Sequence, residues 1–212
     1  MAFHFRLPLL QLFMAKMKHL LILGVLILGF HQAEAAITPL SVGIAPPVQF
    51  PTEEFTVTGL RISALWGHHR DLYGIDVGGI GNITNQTFTG MAISGIFNMT
   101  HGTTTILGLQ LAGLANINTQ KTTVLGLQVA LGVNGNDAAS SVAGMQIALA
   151  NIGAFTNIYG AQLGLYNCAL DVYGLQIGVV NVADSLHGVQ IGLINFNHKG
   201  TIGVSPIINI GF

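Results

Sequence analysis

The 212-residue chain has little charge, one cysteine and six prolines. Only 7% of its residues are charged, whereas an ordinary soluble domain carries roughly 25%. Seven basic residues provide no patch that could neutralise a phosphate backbone, so nucleic acid is excluded as a partner. The single Cys168 excludes an intrachain disulfide framework and a cysteine-rich zinc site. Because half of the residues are hydrophobic, the chain is also too apolar to be disordered.

Residues 1–35 predict a secretory signal peptide. A basic segment and an apolar run over 20–30 are followed by an A-x-A cleavage site at Ala33 and Ala35. The run is too short for a membrane-spanning helix, which needs about 20 apolar residues. We expect this segment to be removed on export, and Met17 offers an alternative translation start.

Nine repeats of 14 to 18 residues fill residues 59–197, after an N-terminal segment or cap over 36–58 and before a closing strand over 198–212. Each repeat opens with glycine and continues as apolar, polar, apolar and small, which is the pattern of a strand with two unlike faces. Three columns of equivalent residues recur: the Gly column (Gly59, Gly74, Gly90, Gly108, Gly126, Gly144, Gly160, Gly174, Gly188), the Gln column (Gln110, Gln128, Gln146, Gln162, Gln176, Gln190) and the Asn column (Asn82, Asn98, Asn116, Asn134, Asn151, Asn167, Asn181, Asn195).

The two unlike faces suggest which columns are buried. We expect the Leu and Ile residues that follow each glycine to form internal layers. A corner at Gly188 would let Leu186 and Val189 both point inward. The Gln column would then be a flat row that binds a glycan or an extended strand, or a ladder that only keeps the repeats in register. The Asn column is expected at turns, where asparagine hydrogen-bonds nearby backbone.

Two all-β folds fit these repeats. We expect a parallel β-solenoid of about nine coils, because the unit is a single strand-sized repeat whose length changes smoothly along the chain. The alternative is an antiparallel outer-membrane β-barrel that acts as a pore or anchor. It is favoured by the low charge and by Ile208, Ile210 and Phe212 at the C-terminus. Parallel stacking of Gln128 on Gln146 would indicate the solenoid, and antiparallel pairing the barrel.

The repeat unit reads G-L-Q-I-G-L-x-N, and the array closes with Pro206, Asn209 and Phe212. With the opening unit over 59–67, these motifs resemble a bacterial surface-repeat family that is best known from leptospiral proteins. The resemblance covers roughly residues 38–212 and implies a cell-envelope or surface location. It implies no known activity and supplies no catalytic residue.

The first repeats depart from this family pattern. Arg61, Asp76 and Ala92 stand where later repeats have glutamine. The departure leaves open whether the first coils are a cap or a distinct surface.

Isolated polar residues offer few candidate sites. The group His68, His69, Arg70 and Asp71 predicts a solvated loop, with a metal or ligand site as the alternative. Glu53 and Glu54 lie in a Pro-bounded segment that we expect to be a solvated linker.

Two further features are weak signals. The segment over 132–137, GVNGND, is similar to calcium-binding nonapeptides but occurs once. Cys168 takes the place that Val182 has one repeat later, which predicts a packing position. We therefore expect no catalytic residue, no cofactor and no metal.

The expected function is that of an exported, non-enzymatic repeat protein with a structural or adhesive role. Its expected location is the outer membrane or cell surface of a diderm bacterium. The expected partners are the outer membrane or other envelope proteins, or a host or surface ligand of unknown identity.

Overall fold

Parallel pairing between consecutive repeats defines the architecture. The computed structural model describes residues 36–212, which form an all-β solenoid of about ten coils. Gln128 aligns with Gln146 in parallel register, so the solenoid expectation is confirmed and the barrel alternative is wrong. The predicted signal peptide, including Ala33 and Ala35, lies outside the described residues.

One 16-stranded sheet winds around the solenoid. Long strands that contain the Gly column are β3 (Thr56–Ser63), β4 (Trp66–Gly78), β5 (Gly81–Ser94), β7 (Thr103–Ala112), β9 (Thr122–Ala130), β11 (Ser140–Ile147), β13 (Thr156–Leu163), β14 (Tyr166–Ile177) and β15 (Val180–Asn197). Four members of the Asn column lie in the short strands β6 (Phe97–Thr100), β8 (Ala115–Asn118), β10 (Val133–Asn136) and β12 (Ala150–Gly153), and the other four lie in β5, β14 and β15. The terminal strands are β1 (Ile37–Ala45), β2 (Val48–Phe50) and β16 (Val204–Gly211). Within residues 36–212, no helix is long and apolar enough to cross a membrane.

Both ends of the sheet finish with an antiparallel strand. Strand β1 pairs in parallel with β3 and so adds a coil ahead of Gly59, and β2 lies antiparallel against β1. At the other end β16 runs antiparallel to β15, with Gly211 opposite Gly188. Part of each edge that a parallel stack would leave unpaired is therefore covered, Val42–Ala45 by β2 and Gly188–Phe196 by β16.

Glycine is required where each long strand turns a corner. Every member of the Gly column except Gly59 has a positive φ, for example +144° at Gly174. A methyl group on Gly174 would overlap the backbone carbonyl oxygen of Gly160 in the coil before. The repeated glycine therefore sets both the corner and the close stacking of coils.

The interior is partly apolar and partly amide. The residue two before each corner glycine is at most 2% exposed, and we name these residues the inner apolar column: Val57, Leu72, Phe88, Ile106, Val124, Val142, Ile158, Val172 and Leu186. Alternation continues through the corner, so Gln190 points inward with Leu186, whereas Val189 points outward and is half-buried. The expectation that Leu186 and Val189 both point inward is wrong, as is the expectation of internal layers made by the apolar columns after each glycine.

Candidate functional site

The Gln column is an internal hydrogen-bonded ladder. Its six side chains are at most 1% exposed. From Gln128 onward, each Nε2 donates to Oε1 of the glutamine in the preceding coil, at 2.6–2.9 Å. Of the two alternatives for this column, the register ladder is confirmed and the flat outer row that binds a ligand is wrong, since no glutamine of this column is accessible. The stacked amides satisfy one another, which removes most of the cost of burying them.

The Asn column forms a second internal ladder. Each Nδ2 from Asn82 to Asn181 donates to Oδ1 of the asparagine in the following coil, at 2.8–2.9 Å. The same Nδ2 groups also donate to backbone carbonyls, as Asn116 does to Val129 at 2.8 Å. These asparagines lie within strands, so the expectation that they occupy turns is wrong, although they do bond nearby backbone.

A buried ion pair replaces the Gln column in the first coils. Arg61 and Asp76 are 0% and 1% exposed and align with each other in adjacent coils. The guanidinium donates to both carboxylate oxygens, from Nε at 2.8 Å and from Nη2 at 2.5 Å. Arg61 Nη1 donates to the Ile83 carbonyl at 3.0 Å. Burial raises the pKa of Asp76 and the Arg61 charge opposes this, but protonation would leave a buried guanidinium unpaired, so the pair stays ionised at neutral pH.

His69 completes this N-terminal polar cluster, which we define as Ser41, Arg61, His69 and Asp76. The ring is fully buried, with Nδ1 3.3 Å from Arg61 Nη1 and Nε2 3.4 Å from Ser41 Oγ. Because arginine only donates, Nδ1 is the acceptor and the ring is neutral. Burial and the Arg61 charge lower the His69 pKa to about 4, against an opposing hydrogen bond with Pro51. The N-terminal polar cluster therefore exchanges no proton near pH 7.

The neighbours of His69 are ordered parts of β4. Arg70 Nε donates to Asp71 Oδ2 at 2.9 Å, and Asp71 Oδ1 accepts from the Thr87 backbone at 3.0 Å. His68 Nδ1 lies 3.0 Å from Glu53 Oε2. The expected solvated loop over 68–71 is thus wrong, because His68, His69 and Asp71 pair with the next coil, and Arg70 forms the bulge between them. Among residues 36–212, no three His, Cys, Asp or Glu side chains are grouped so as to hold a metal ion.

The remaining candidates are placed as follows. Glu53 and Glu54 are exposed. Within 132–137, Asn134 and Asn136 are buried and belong to the amide network. Cys168 lies between Ile152 and Val182 in an outward column and is half-buried.

The closing motif lies on the last strand, with Phe212 directly after its end. Asn209 is 2% exposed and stands opposite Gln190, while Phe212 is fully exposed. Pro206 precedes them within β16.

Apolar side chains occupy the outside of two sides of the solenoid. The first apolar face holds the residues one and three after each corner glycine: Leu60, Ile62, Ile75, Val77, Met91, Ile93, Leu109, Leu111, Leu127, Val129, Met145, Ile147, Ala161, Leu163, Leu175, Ile177, Val189 and Ile191. The second apolar face holds the residues beside the Asn column: Phe97, Met99, Ala115, Ile117, Val133, Ala150, Ile152, Tyr166, Cys168, Val180, Val182, Ile194 and Phe196. Between them runs the aliphatic ridge: Leu65, Ile80, Ile96, Leu114, Leu131, Leu149, Leu165, Val179 and Leu193.

Charge is confined to the third side. Apart from the Arg61–Asp76 pair, every charged residue of 36–212 lies in one of two places. Most lie in the part of a coil just before a corner glycine, and one lies in the closing loop. We name these residues the polar edge: Glu53, Glu54, Arg70, Asp71, Lys121, Asp137, Asp171, Asp184 and Lys199. Beside it the outward residue three before each glycine is polar, as in Thr105, Thr123, Ser141 and Asn157. The third side therefore carries the exposed charge and is called the polar side, although Leu107, Leu125 and Phe155 are also 45–61% exposed there.

Sequence reasoning missed this apolar exterior. The signal was present, since no repeat carries an outward charge between its glycine and its asparagine. Strand alternation alone could not say which set of columns faces inward.

Comparison with known protein families, with curated proteins and with solved structures gives no match to this chain.

Proposed function

We propose that this chain is an exported repeat protein of the cell envelope with a structural or adhesive role and no enzymatic activity. The observation that carries the proposal is the pair of continuous amide ladders. Their side chains bond to the next coil rather than to a ligand. Such an interior favours a rigid scaffold whose function lies in its outer surface.

Two sequence features support the location. The basic segment, the apolar run and the small residues before position 36 have the order of a secretory signal. The repeats and the closing motif are similar to leptospiral-type surface repeats. Both features favour the outer membrane or the cell surface of a diderm bacterium.

The outer surface supports a structural or adhesive role. Equivalent side chains recur at the coil spacing of about 4.8 Å on every side of the solenoid. A regular surface of this kind suits contact with the outer membrane or with another envelope protein, and it also suits a host or surface ligand.

The location is tested by expressing the full chain in a diderm bacterium and fractionating the cells. We expect the protein in the envelope fraction, with an N-terminus at Ala36. An Ala33→Leu/Ala35→Leu variant should keep its N-terminal segment, because the signal peptidase site needs small residues. Ala36→Val, just after the cut, is the matched control and should be processed normally. Recovery of the parent protein in the cytoplasm with residues 1–35 intact would refute the proposal.

A further inference from the structure

The two apolar faces and the aliphatic ridge are too extensive for an ordinary soluble surface. Nine coils at about 4.8 Å by about 13 Å of strand give each face on the order of 500 Å² in projection. The two faces meet at the aliphatic ridge, where Leu114, Leu149 and Leu165 are 55–57% exposed. A continuous apolar area larger than a few hundred Å² marks an interaction surface.

The geometry of this surface decides between a protein and a lipid partner. A second copy that covers one flat face would leave the other face and the aliphatic ridge in water. Acyl chains can cover both faces and the aliphatic ridge at once. The backbone in this region is paired between coils, as in the ladders from β8 to β10 and from β10 to β12, which a hydrocarbon environment demands.

Aromatic residues lie where a lipid boundary would lie. Tyr159, Tyr173 and His187 stack in consecutive coils, with centroids 5.1 and 4.6 Å apart, directly before the corner glycines. This position separates the first apolar face from the polar side, and in earlier coils it is held by Leu107 and Leu125. Aromatic residues with a polar end are enriched at membrane–water interfaces.

We propose that the aliphatic ridge and the two apolar faces insert among the acyl chains of a bilayer leaflet, with the polar edge in water. The proposal rests on the proposed envelope role. The polar edge has six acidic and three basic residues, so anionic lipid offers no attraction. The protein should therefore bind zwitterionic vesicles, and salt should have little effect on binding.

Trp66 is a built-in probe of insertion. It is the chain's one tryptophan, and it aligns with Gly81 and then Phe97 on the outside of the second apolar face. It is 36% exposed. Insertion should shift its emission to the blue and let brominated acyl chains quench it.

The experiment adds the solenoid without the predicted signal segment, residues 36–212, by dilution from detergent to phosphatidylcholine vesicles, and it measures flotation and Trp66 quenching. The ridge variant Leu114→Gln/Leu149→Gln/Leu165→Gln should lose at least tenfold in vesicle partitioning. The matched variant Thr123→Gln/Ser141→Gln/Asn157→Gln, on the polar side, should stay within twofold of the parent. Circular dichroism checks that both variants keep the β-structure.

Three results would overturn the proposal: Trp66 unquenched by brominated lipid, a ridge variant that partitions like the parent, or a lipid-independent dimer that shields Trp66. The parent and all variants lack residues 1–35, so neither flotation nor quenching can come from the apolar run over 20–30. The assay uses purified protein. A protein that does not insert into vesicles would overturn the insertion proposal and leave the fractionation result unchanged. A cytoplasmic location in cells would overturn the envelope proposal and leave the Trp66 quenching unchanged.

Discussion

A glutamine inside this solenoid keeps its hydrogen bonds because the same amide recurs one coil away. Gln146 donates from Nε2 to Gln128 at 2.6 Å and accepts from Gln162 at 2.8 Å. An apolar residue of similar volume would strand both partners in a space closed to water. The adjacent Ile147 points outward and is 38% exposed.

Replacing Gln146 therefore costs more than replacing Ile147, although a simple hydrophobicity rule predicts the reverse. We expect Gln146→Leu to lower the free energy of unfolding by about 2–4 kcal/mol, because two buried amide groups lose a partner. Ile147→Gln should change it by less than about 0.5 kcal/mol. Urea unfolding followed by circular dichroism measures both. A stabilised Gln146→Leu variant would show that the columns are assigned to the wrong sides.

The Arg61–Asp76 pair occupies two positions of the Gln column, which suggests a double-mutant cycle. Arg61→Gln and Asp76→Gln should each cost about 3–5 kcal/mol, because each leaves a charge buried without its partner. The Arg61→Gln/Asp76→Gln variant should be more stable than either single variant, since it removes both charges and restores the amide pattern of later coils. Additive costs in chemical unfolding would contradict this coupling.

At the level of the element, the corner glycine fixes how each strand stacks on the next. Gly174 needs both a positive φ and space against the Gly160 carbonyl oxygen. By contrast, Gly135 has ordinary backbone geometry, and a methyl group there would meet chiefly the mobile end of Ile117, at 3.2 Å. Both positions are glycine, but only Gly135 has room and backbone geometry for a larger side chain.

Gly174→Ala should destabilise the protein by at least about 2 kcal/mol, through backbone strain and a clash with the preceding coil. In a domain of this size that lowers Tm by roughly 4–8 °C. Gly135→Ala is the control and should leave Tm within about 2 °C, since its neighbour can move. Thermal unfolding decides, and equal losses at both sites would count against a special role for the corner.

The strands and their parallel pairing were predictable from the sequence, but which face of each strand is buried was not. The glycine spacing and the period-2 alternation predict parallel strands that stack Gln128 on Gln146, and the structure confirms that pairing. Whether Gln128 or Val129 faces inward depends on a cooperative effect. One buried glutamine is costly, whereas a column of them is mutually satisfied. A rule applied one residue at a time therefore places Val129 inside and is wrong.

The same limit applies to the charged residues. Arg61, Asp76 and His69 lie in different coils or in different parts of one coil, and only the stacking register brings them together. Their contact could be inferred from the sequence only after that register was known. The polar edge is different, because its charges share one part of the repeat and can be read directly from the aligned sequence.

At the scale of the whole molecule, the two amide ladders point in opposite directions. Glutamine amides donate toward the preceding coil, as Gln176 does to Gln162, and asparagine amides donate toward the following coil, as Asn167 does to Asn181. Their dipoles run side by side along the solenoid axis with opposite sign. From Gln110 onward the paired ladders are thus antiferroelectric: each added coil adds two opposed side-chain dipoles, so this part of the stack can lengthen without building up a potential from them.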